Sequence, residues 1–288
     1  MDAELVVNLH VTEQCNYSCS FCFGKWGLPA TAGVFQDPNH SIALVSDLFN
    51  VLSGSEWGSR GIRFNFAGGE PALLHALPEL VEHCRGLGAR TSFVSNGLML
   101  RRFDALWLSQ NFDIVGLSVD SASELTNLRI GRVTRSGRAF NLAEITSAVR
   151  ELRSISRCPI KINTVVCRTN VREDLSPVLR SLAPDKWKVF QALPIYEGAE
   201  TITAADFSKF LRRHIEFTRI LVSEDNNQMT TSYLMVDPLG RFFWPFETGS
   251  RRTGGYSYSR PILEAGAAAS FQECKISWAK YKDRYHGL

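Results

Sequence analysis

Six short apolar runs rich in β-branched residues recur along the chain, and each is followed by a longer segment with helical periodicity. That alternation constrains the fold more than any other feature, because strands joined by crossover helices pair in parallel. The runs are residues 5–11, 62–66, 91–94, 114–119, 160–166 and 187–192, and the spacing predicts helices near 42–52, 77–87, 101–109, 142–155, 171–182 and 207–222. Thr203 before AADF supplies a helix start. The expected fold is α/β: a partial (β/α)6 barrel over residues 1–224. After about residue 225 the pattern changes to YLMVD, RFFWPF and TGGYSYSRP, with no linker before it. Residues 225–288 are therefore expected to form a C-terminal extension that packs on the barrel and closes its active site.

With 288 residues, 44% hydrophobic and 21% charged, the chain has globular composition, which excludes disordered, collagenous and disulfide-scaffold classes. Lys and Arg number 32 against 29 Asp and Glu, a formal net charge of +3, which gives no ground for nucleic-acid binding. No apolar run approaches the roughly 18 residues needed to span a bilayer, and the start, MDAELVVNLHVTEQC, reads as an acidic lead into a strand. A cytoplasmic, membrane-free and monomeric enzyme is the expectation. Seven cysteines, three crowded and four scattered, point to metal chemistry rather than disulfides.

In parallel βα architectures ligands sit beyond the C-terminal ends of the strands. Cys15, Cys19 and Cys22 lie there, after the first strand, spaced C-x3-C-x2-C. Three thiolates in one loop suit a soft metal centre. Zinc would need a fourth protein ligand, from His10 or a distant cysteine, and no second Cys pair is evident; a zinc-stabilised binding module is the alternative of another class. Cys84, Cys158, Cys167 and Cys274 read as small hydrophobes. After the second strand comes NFAGGEP, residues 65–71, either a Gly-Gly turn ended by Pro or a close backbone approach to a ligand with Glu70 beside it. After the third comes SNG, residues 95–97; after the fourth, Ser118 and the IGR segment ending in Arg132.

Together these motifs resemble the radical S-adenosylmethionine (SAM) superfamily. The resemblance implies a 4Fe-4S cluster held by Cys15, Cys19 and Cys22, with the open iron chelated by SAM. It further implies SAM contacts from Gly68, Gly69 and Glu70 at the methionyl amine, Asn96 near the ribose, and Ser118 and Arg132 at the carboxylate.

Strand periodicity places Lys161 with Asn163, Lys186 with Lys188, and Arg63 with Asn65 on common faces. Facing outward these residues would be solvated; facing into the barrel they would concentrate cations that a polyanion such as a triphosphate could neutralise. The segments VNLHVTEQCNYSCSFCF, NFAGGEP, IGR, KINTVV, NVREDL, KWKVFQ and SYLMVD resemble, in order, the viperin family of antiviral radical SAM enzymes and its prokaryotic members in particular. That likeness implies a lyase reaction on a nucleoside triphosphate (CTP, UTP or GTP) giving the 3′-deoxy-3′,4′-didehydro nucleotide, a terminator of viral RNA synthesis. It implies phosphate contacts from Arg63, Lys161, Lys186 and Lys188, ribose contacts from Asn65 and Asn163, and catalytic parts for Tyr233, Asn163 and Lys188, with Tyr233 a candidate proton or hydrogen donor. A flavodoxin-type or other electron donor is implied, and Mg2+ is an optional companion of the triphosphate.

Several positions depart from that pattern. Ala67 stands where relatives commonly carry Ser, Lys186 where they often carry Arg, and the loop GKWGLPATAG and the tail from Phe246 are barely similar. A peptide-acting radical SAM enzyme is the competing reading, and it usually carries further C-terminal cysteines; here only Cys274 lies beyond residue 167. His214 is read as part of a solvated helical face.

Overall fold

The computed structural model describes residues 4–24, 27–29, 32–134, 136–194, 199–245 and 255–285. Parts of the GKWGLPATAG loop (25, 26, 30, 31), the end of RFFWPF (246) and the start of TGGYSYSRP (253, 254) lie outside the described residues. Ten strands form one sheet: β1 Leu5–His10, β2 Ile62–Ala67, β3 Arg90–Ser95, β4 Ile114–Ser118, β5 Ile160–Val166, β6 Lys186–Gln191, β7 Leu221–Glu224, β8 Leu234–Val236, β9 Arg241–Pro245 and β10 Tyr256–Pro261. Their order is β10-β9-β8-β1-β2-β3-β4-β5-β6-β7, so β7 and β10 are edges and the barrel is open. Every pairing from β8 through β1 to β7 is parallel; β9 and β10 add antiparallel strands.

The helices are α1 Pro38–Ser53, α2 Leu77–Gly86, α3 Met99–Arg102, α4 Ala105–Asn111, α5 Glu124–Ile130, α6 Leu142–Ile155, α7 Ser176–Leu182, α8 Ala204–Arg213, α9 Asn226–Met229, α10 Ile262–Ala265, α11 Ala267–Glu273 and α12 Trp278–Tyr285. Local chemistry fixes their starts. Asp37, Asp104, Ser123, Asn141 and Thr203 each accept backbone N–H groups of the following turn, which would otherwise lack partners. On β5 the alternation is complete: Ile160, Ile162 and Val166 are buried in the main core with Val149 and Leu152 of α6 and Leu179 of α7, while Lys161 and Asn163 take the opposite face. The charged pattern of that strand therefore belongs to the inner surface of the open barrel.

Three predicted helices differ from the structure. The segment 101–109 breaks at Phe103, where Asp104 caps a new helix by accepting from Trp107 N at 2.7 Å. The segment 171–182 becomes helical only at Ser176, after turns at 168–172. The segment 207–222 is α-helical only to Arg213, with a 3-10 turn at Ile215–Phe217; Leu221–Glu224 instead pairs with β6, Trp187 opposite Leu221. A short apolar run such as ILV fits a helix face or a strand, and the open edge of β6 decides for the strand. The seven-residue α5 went unpredicted; it ends at Gly131, whose φ of 88° suits glycine.

His214 corrects a further expectation. Rather than facing solvent, its side chain is fully buried against Trp187, with Nε2 accepting from Leu175 N and Nδ1 donating to Phe210 O, both at 2.9 Å. It terminates α8 and ties it to the turn before α7.

The C-terminal segment is built into the sheet. β8 pairs with β1, and α12 is fastened by Val6 N donating to the Tyr281 hydroxyl at 2.6 Å and by Trp278 stacking on Trp57 at 3.9 Å between centroids. Among the described residues no helix is long and apolar enough to cross a membrane.

Candidate active site

The cysteine loop leaves β1 after His10 and is gripped from two sides. On one, Gly69 N donates to Thr12 O and Glu70 N to Gln14 O, both at 2.7 Å. A Cβ on Gly68 would come within 2.4 Å of Thr12 O, and one on Gly69 within 2.1 Å of Gln14 O, so both positions require glycine for backbone to meet backbone. On the other, Ser18 N donates to Gly131 O at 2.9 Å and Ser20 N to Ile130 O at 2.8 Å, and a Cβ on Gly131 would meet Ser18 O at 2.4 Å. The GGE and IGR segments thus shape the loop that carries the thiols. Cys15 is exposed, and Cys19 and Cys22 are half-buried. Burial pushes the Cys15 thiol up to about 11 and Cys19 up to about 12, with the neighbouring thiols adding to both. His10 lies beneath, buried between Phe23 and Phe243 with ring centroids 5.6 and 5.0 Å away, and burial pushes its imidazole down to about 3.

Glu70 is fully buried, its carboxylate accepting from Ser95 Oγ and Asn96 N at 2.8 Å and from Ala72 N at 3.2 Å. It joins the loop after β2 to the loop after β3. Burial, opposed only in part by those donors, pushes its carboxyl up to about 7. Asn96 turns its amide toward the cysteine loop, donating to Asn16 Oδ1 at 2.7 Å and to Cys15 Sγ at 3.6 Å. Arg132 is 2% exposed and committed to Asp120 Oδ2 at 2.5 Å and Ser118 O at 2.6 Å, with its guanidinium 4.8 Å from the Phe140 ring centroid and 5.6 Å from that of Tyr17. In this arrangement Arg132 braces the cysteine loop through Tyr17.

At the other end of the inner surface, register brings the predicted cations together: Lys161 lies opposite Lys186, and Asn163 opposite Lys188. Arg63 is buried, donating through Nε to Glu4 Oε1 at 2.5 Å and through Nη1 to Ser92 Oγ at 2.7 Å. Ser92 Oγ in turn donates to Asn65 Oδ1 at 2.7 Å, and Asn65 Nδ2 to Asn8 Oδ1 at 2.9 Å. Lys188 Nζ donates to Glu224 Oε1 at 2.6 Å. The Tyr233 hydroxyl donates to Glu224 Oε2 at 2.5 Å, and Arg284 Nη2 lies 2.9 Å from that oxygen. Burial and the cations Lys188, Arg63 and Lys186 hold the Lys161 ammonium well below its usual range, and burial and Lys188 push Lys186 down to about 8. Asn163 Oδ1 is buried without a hydrogen-bond partner among the described residues.

Residues 9–182 match the profile of the Radical SAM superfamily. The chain belongs to that superfamily. Within it, the S-adenosylmethionine-dependent nucleotide dehydratase of Psychrobacter lutiphocae is 38% identical over 98% of this chain and 95% of its own length. The enzyme of the same name from Pseudoalteromonas ulvae is 31% identical over 99% of this chain and 94% of its own. Identity of that extent makes the chain a member of their family, viperin and its relatives. Among solved structures, anSMEcpe with bound AdoMet matches 84% of this chain and 71% of that one, with a TM-score of 0.58 and 19% identity, which bears on the fold alone.

Radical SAM membership implies SAM and a 4Fe-4S cluster, and the loop fits them. Among the described residues no three His, Cys, Asp or Glu side chains are arranged about a single ion. Cys15, Cys19 and Cys22 sit on one loop, and Cys15 and Cys19 each feel the charge of a neighbouring thiol, an all-thiol donor set that would suit an iron–sulfur cluster.

Sequence reasoning missed four charged residues of this candidate site. Asp120 could have been suspected as the buried partner that a buried Arg132 requires. Glu4, Glu224 and Arg284 carried no signal, because they come from the first residues, from an edge strand whose start was read as the end of a helix, and from a tail with no motif.

Proposed function

We propose that this protein dehydrates a nucleoside triphosphate to its 3′-deoxy-3′,4′-didehydro analogue, a lyase reaction whose product terminates viral RNA chains. The observation that carries the reading is the charge imbalance on the inner surface. Arg63, Lys161, Lys186, Lys188 and Arg284 face two carboxylates, Glu4 and Glu224, and Lys161 and Lys186 form no ion pair among the described residues. Like charges held together in a poorly solvated place call for a polyanion, and a triphosphate supplies one.

Cys15, Cys19 and Cys22 would hold the cluster, and Gly68, Gly69, Glu70, Asn96, Ser118 and Arg132 would frame SAM. Bound together, these groups supply one-electron chemistry able to remove hydrogen from an unactivated carbon. The chain's part is positioning. Arg63, Lys161, Lys186 and Lys188 would fix the phosphates, with magnesium as an optional companion, and Asn65 and Asn163 the ribose. The unpartnered Asn163 Oδ1 is suited to accept from a sugar hydroxyl. Tyr233, Asn163 and Lys188 would stand against the reacting sugar. Residues 225–288 would close the site over residues 1–224, since they contribute Tyr233 and Arg284. Loss of the 3′-hydroxyl as water is completed by one electron and one proton, the electron coming from a flavodoxin-type or other donor.

The test is anaerobic reconstitution with iron and sulfide, then SAM, dithionite and each of CTP, UTP, GTP and ATP, read by mass spectrometry. A nucleotide lighter by one water supports the proposal and names the base. Deoxyadenosine formation that no nucleotide stimulates would sink it.

A further inference from the structure

Glu224 ends β7 and is 4% exposed, yet three groups converge on it: Lys188 Nζ at 2.6 Å, the Tyr233 hydroxyl at 2.5 Å and Arg284 Nη2 at 2.9 Å. Two adjacent cations hold its carboxyl below the usual range, so it is ionised at neutral pH and has only lone pairs to offer. Tyr233 must therefore be the donor in that bond. A phenol has one O–H; once given to Glu224, the oxygen can meet anything else only as an acceptor.

We propose that Glu224 is a positioning residue that holds Tyr233 as a hydrogen-bond acceptor toward the sugar, so that Tyr233 orients a ribose hydroxyl and does not supply its proton or hydrogen. This rests on the nucleotide reading above. The ring is fixed at a second point, because the Arg284 guanidinium lies 3.3 Å from its centroid. Arg284 is itself located by Ser232 Oγ at 2.5 Å and by α12. That helix is anchored away from the site by Ser277 N on Thr231 O and Lys280 Nζ on Asn227 O, both at 2.7 Å. Held at hydroxyl and face, Tyr233 is preset before substrate arrives. To donate to substrate it would have to abandon a charge-assisted bond, whereas accepting leaves that bond in place.

The experiment is a double-mutant cycle with Tyr233→Phe and Glu224→Gln in the reconstituted enzyme, using the triphosphate that the wild type dehydrates. Two quantities are read: affinity by equilibrium dialysis, for that nucleotide and for inorganic tripolyphosphate, and modified nucleotide formed per deoxyadenosine. Tyr233→Phe should weaken the nucleotide about 3- to 10-fold, the range of one hydrogen bond, leave tripolyphosphate binding unchanged, and keep the product ratio. In the Glu224→Gln background the same change should lose most of its effect, since the phenol is no longer held. Glu224→Asp, which keeps the charge on a shorter arm, serves as the second background if the Gln variant does not fold. Deoxyadenosine without modified nucleotide in Tyr233→Phe would overturn the inference and make Tyr233 a participant in the proton- or electron-transfer step. An undiminished Tyr233→Phe effect in both Glu224 backgrounds would overturn the positioning role. If the wild type dehydrates no triphosphate, the functional reading fails and this inference with it; if it does, only the inference is at stake.

Discussion

Asp120 and Arg132 form an ion pair in which both side chains are 2% exposed, with Asp120 Oδ2 and Arg132 Nη1 2.5 Å apart. Asp120 Oδ1 also accepts from Val165 N at 2.7 Å, so the pair spans from β5 to the turn against which the cysteine loop is docked. Burying two charges is costly, and such a pair is retained here where it fixes a functional loop.

Removing one partner leaves the other charge buried and uncompensated, at a cost of about 3–5 kcal/mol. Asp120→Asn should therefore lower the thermal midpoint by on the order of 10 °C and reduce bound iron per chain after reconstitution. Differential scanning calorimetry and iron analysis check both. A variant with unchanged midpoint and full iron content would show that the pair does not brace the loop.

Glu70 sets a pH dependence. Its folded carboxyl titrates near 7, above the ordinary 4.5, so between those values the folded state binds more protons than the unfolded one. Stability from this group is thus greatest below pH 4.5 and declines as pH rises toward 7, by roughly 3 kcal/mol in total. Glu70→Gln should remove that slope, measured as urea midpoints between pH 5 and pH 8. If Glu70 receives the SAM amine, SAM should also bind more tightly at pH 8 than at pH 6, with proton release at pH 6 detectable by calorimetry in buffers of different ionisation enthalpy.

The strands were legible because their apolar runs are buried on β-branched residues and bounded by polar turns, and the inner-face charges were legible because strand period is two. Lys161 and Asn163 against Ile160 and Ile162 show both at once. What was hidden depends on pairing between distant segments. Glu224 lies just past the helix expected over 207–222 and enters the site because β6 offers that segment an open edge, and Arg284, in a tail where the sequence shows no motif, reaches it because α12 is anchored to β1 and to the turn after α9. The glycines of GGEP were expected to admit a ligand; the atoms that their missing Cβ groups make room for are Thr12 O and Gln14 O of the cysteine loop.

His214 was likewise misread, since one histidine in LRRHIEF has no sequence mark of burial. Burial holds its imidazole below the ordinary 6.5, so the neutral ring contributes its stability fully above pH 6.5 and loses it as pH falls. His214→Phe should cost about 1–3 kcal/mol by leaving Leu175 N–H without its acceptor. The variant should also lack the wild type's extra loss of stability between pH 6.5 and pH 5. Urea titrations at pH 5 and 7.5 measure both, and an unchanged midpoint at pH 7.5 would contradict the buried geometry.

Lys161 sets stability against binding. Its ammonium is repelled by Lys188, Arg63 and Lys186, with Glu224 acting in compensation, and it forms no hydrogen bond among the described residues. Lys161→Met keeps the length of the side chain and removes a poorly solvated charge that its neighbours repel. The folded protein should become more stable, by about 1 kcal/mol, while affinity for a nucleoside triphosphate falls at least tenfold for loss of a charge-assisted contact. The loss should be smaller for the nucleoside monophosphate, which presents less charge to the same cations. Thermal midpoints and equilibrium dialysis with both nucleotides separate these effects. A variant that is less stable and binds triphosphate normally would show that Lys161 is a structural residue and would remove the principal support for a polyanion at this end of the barrel.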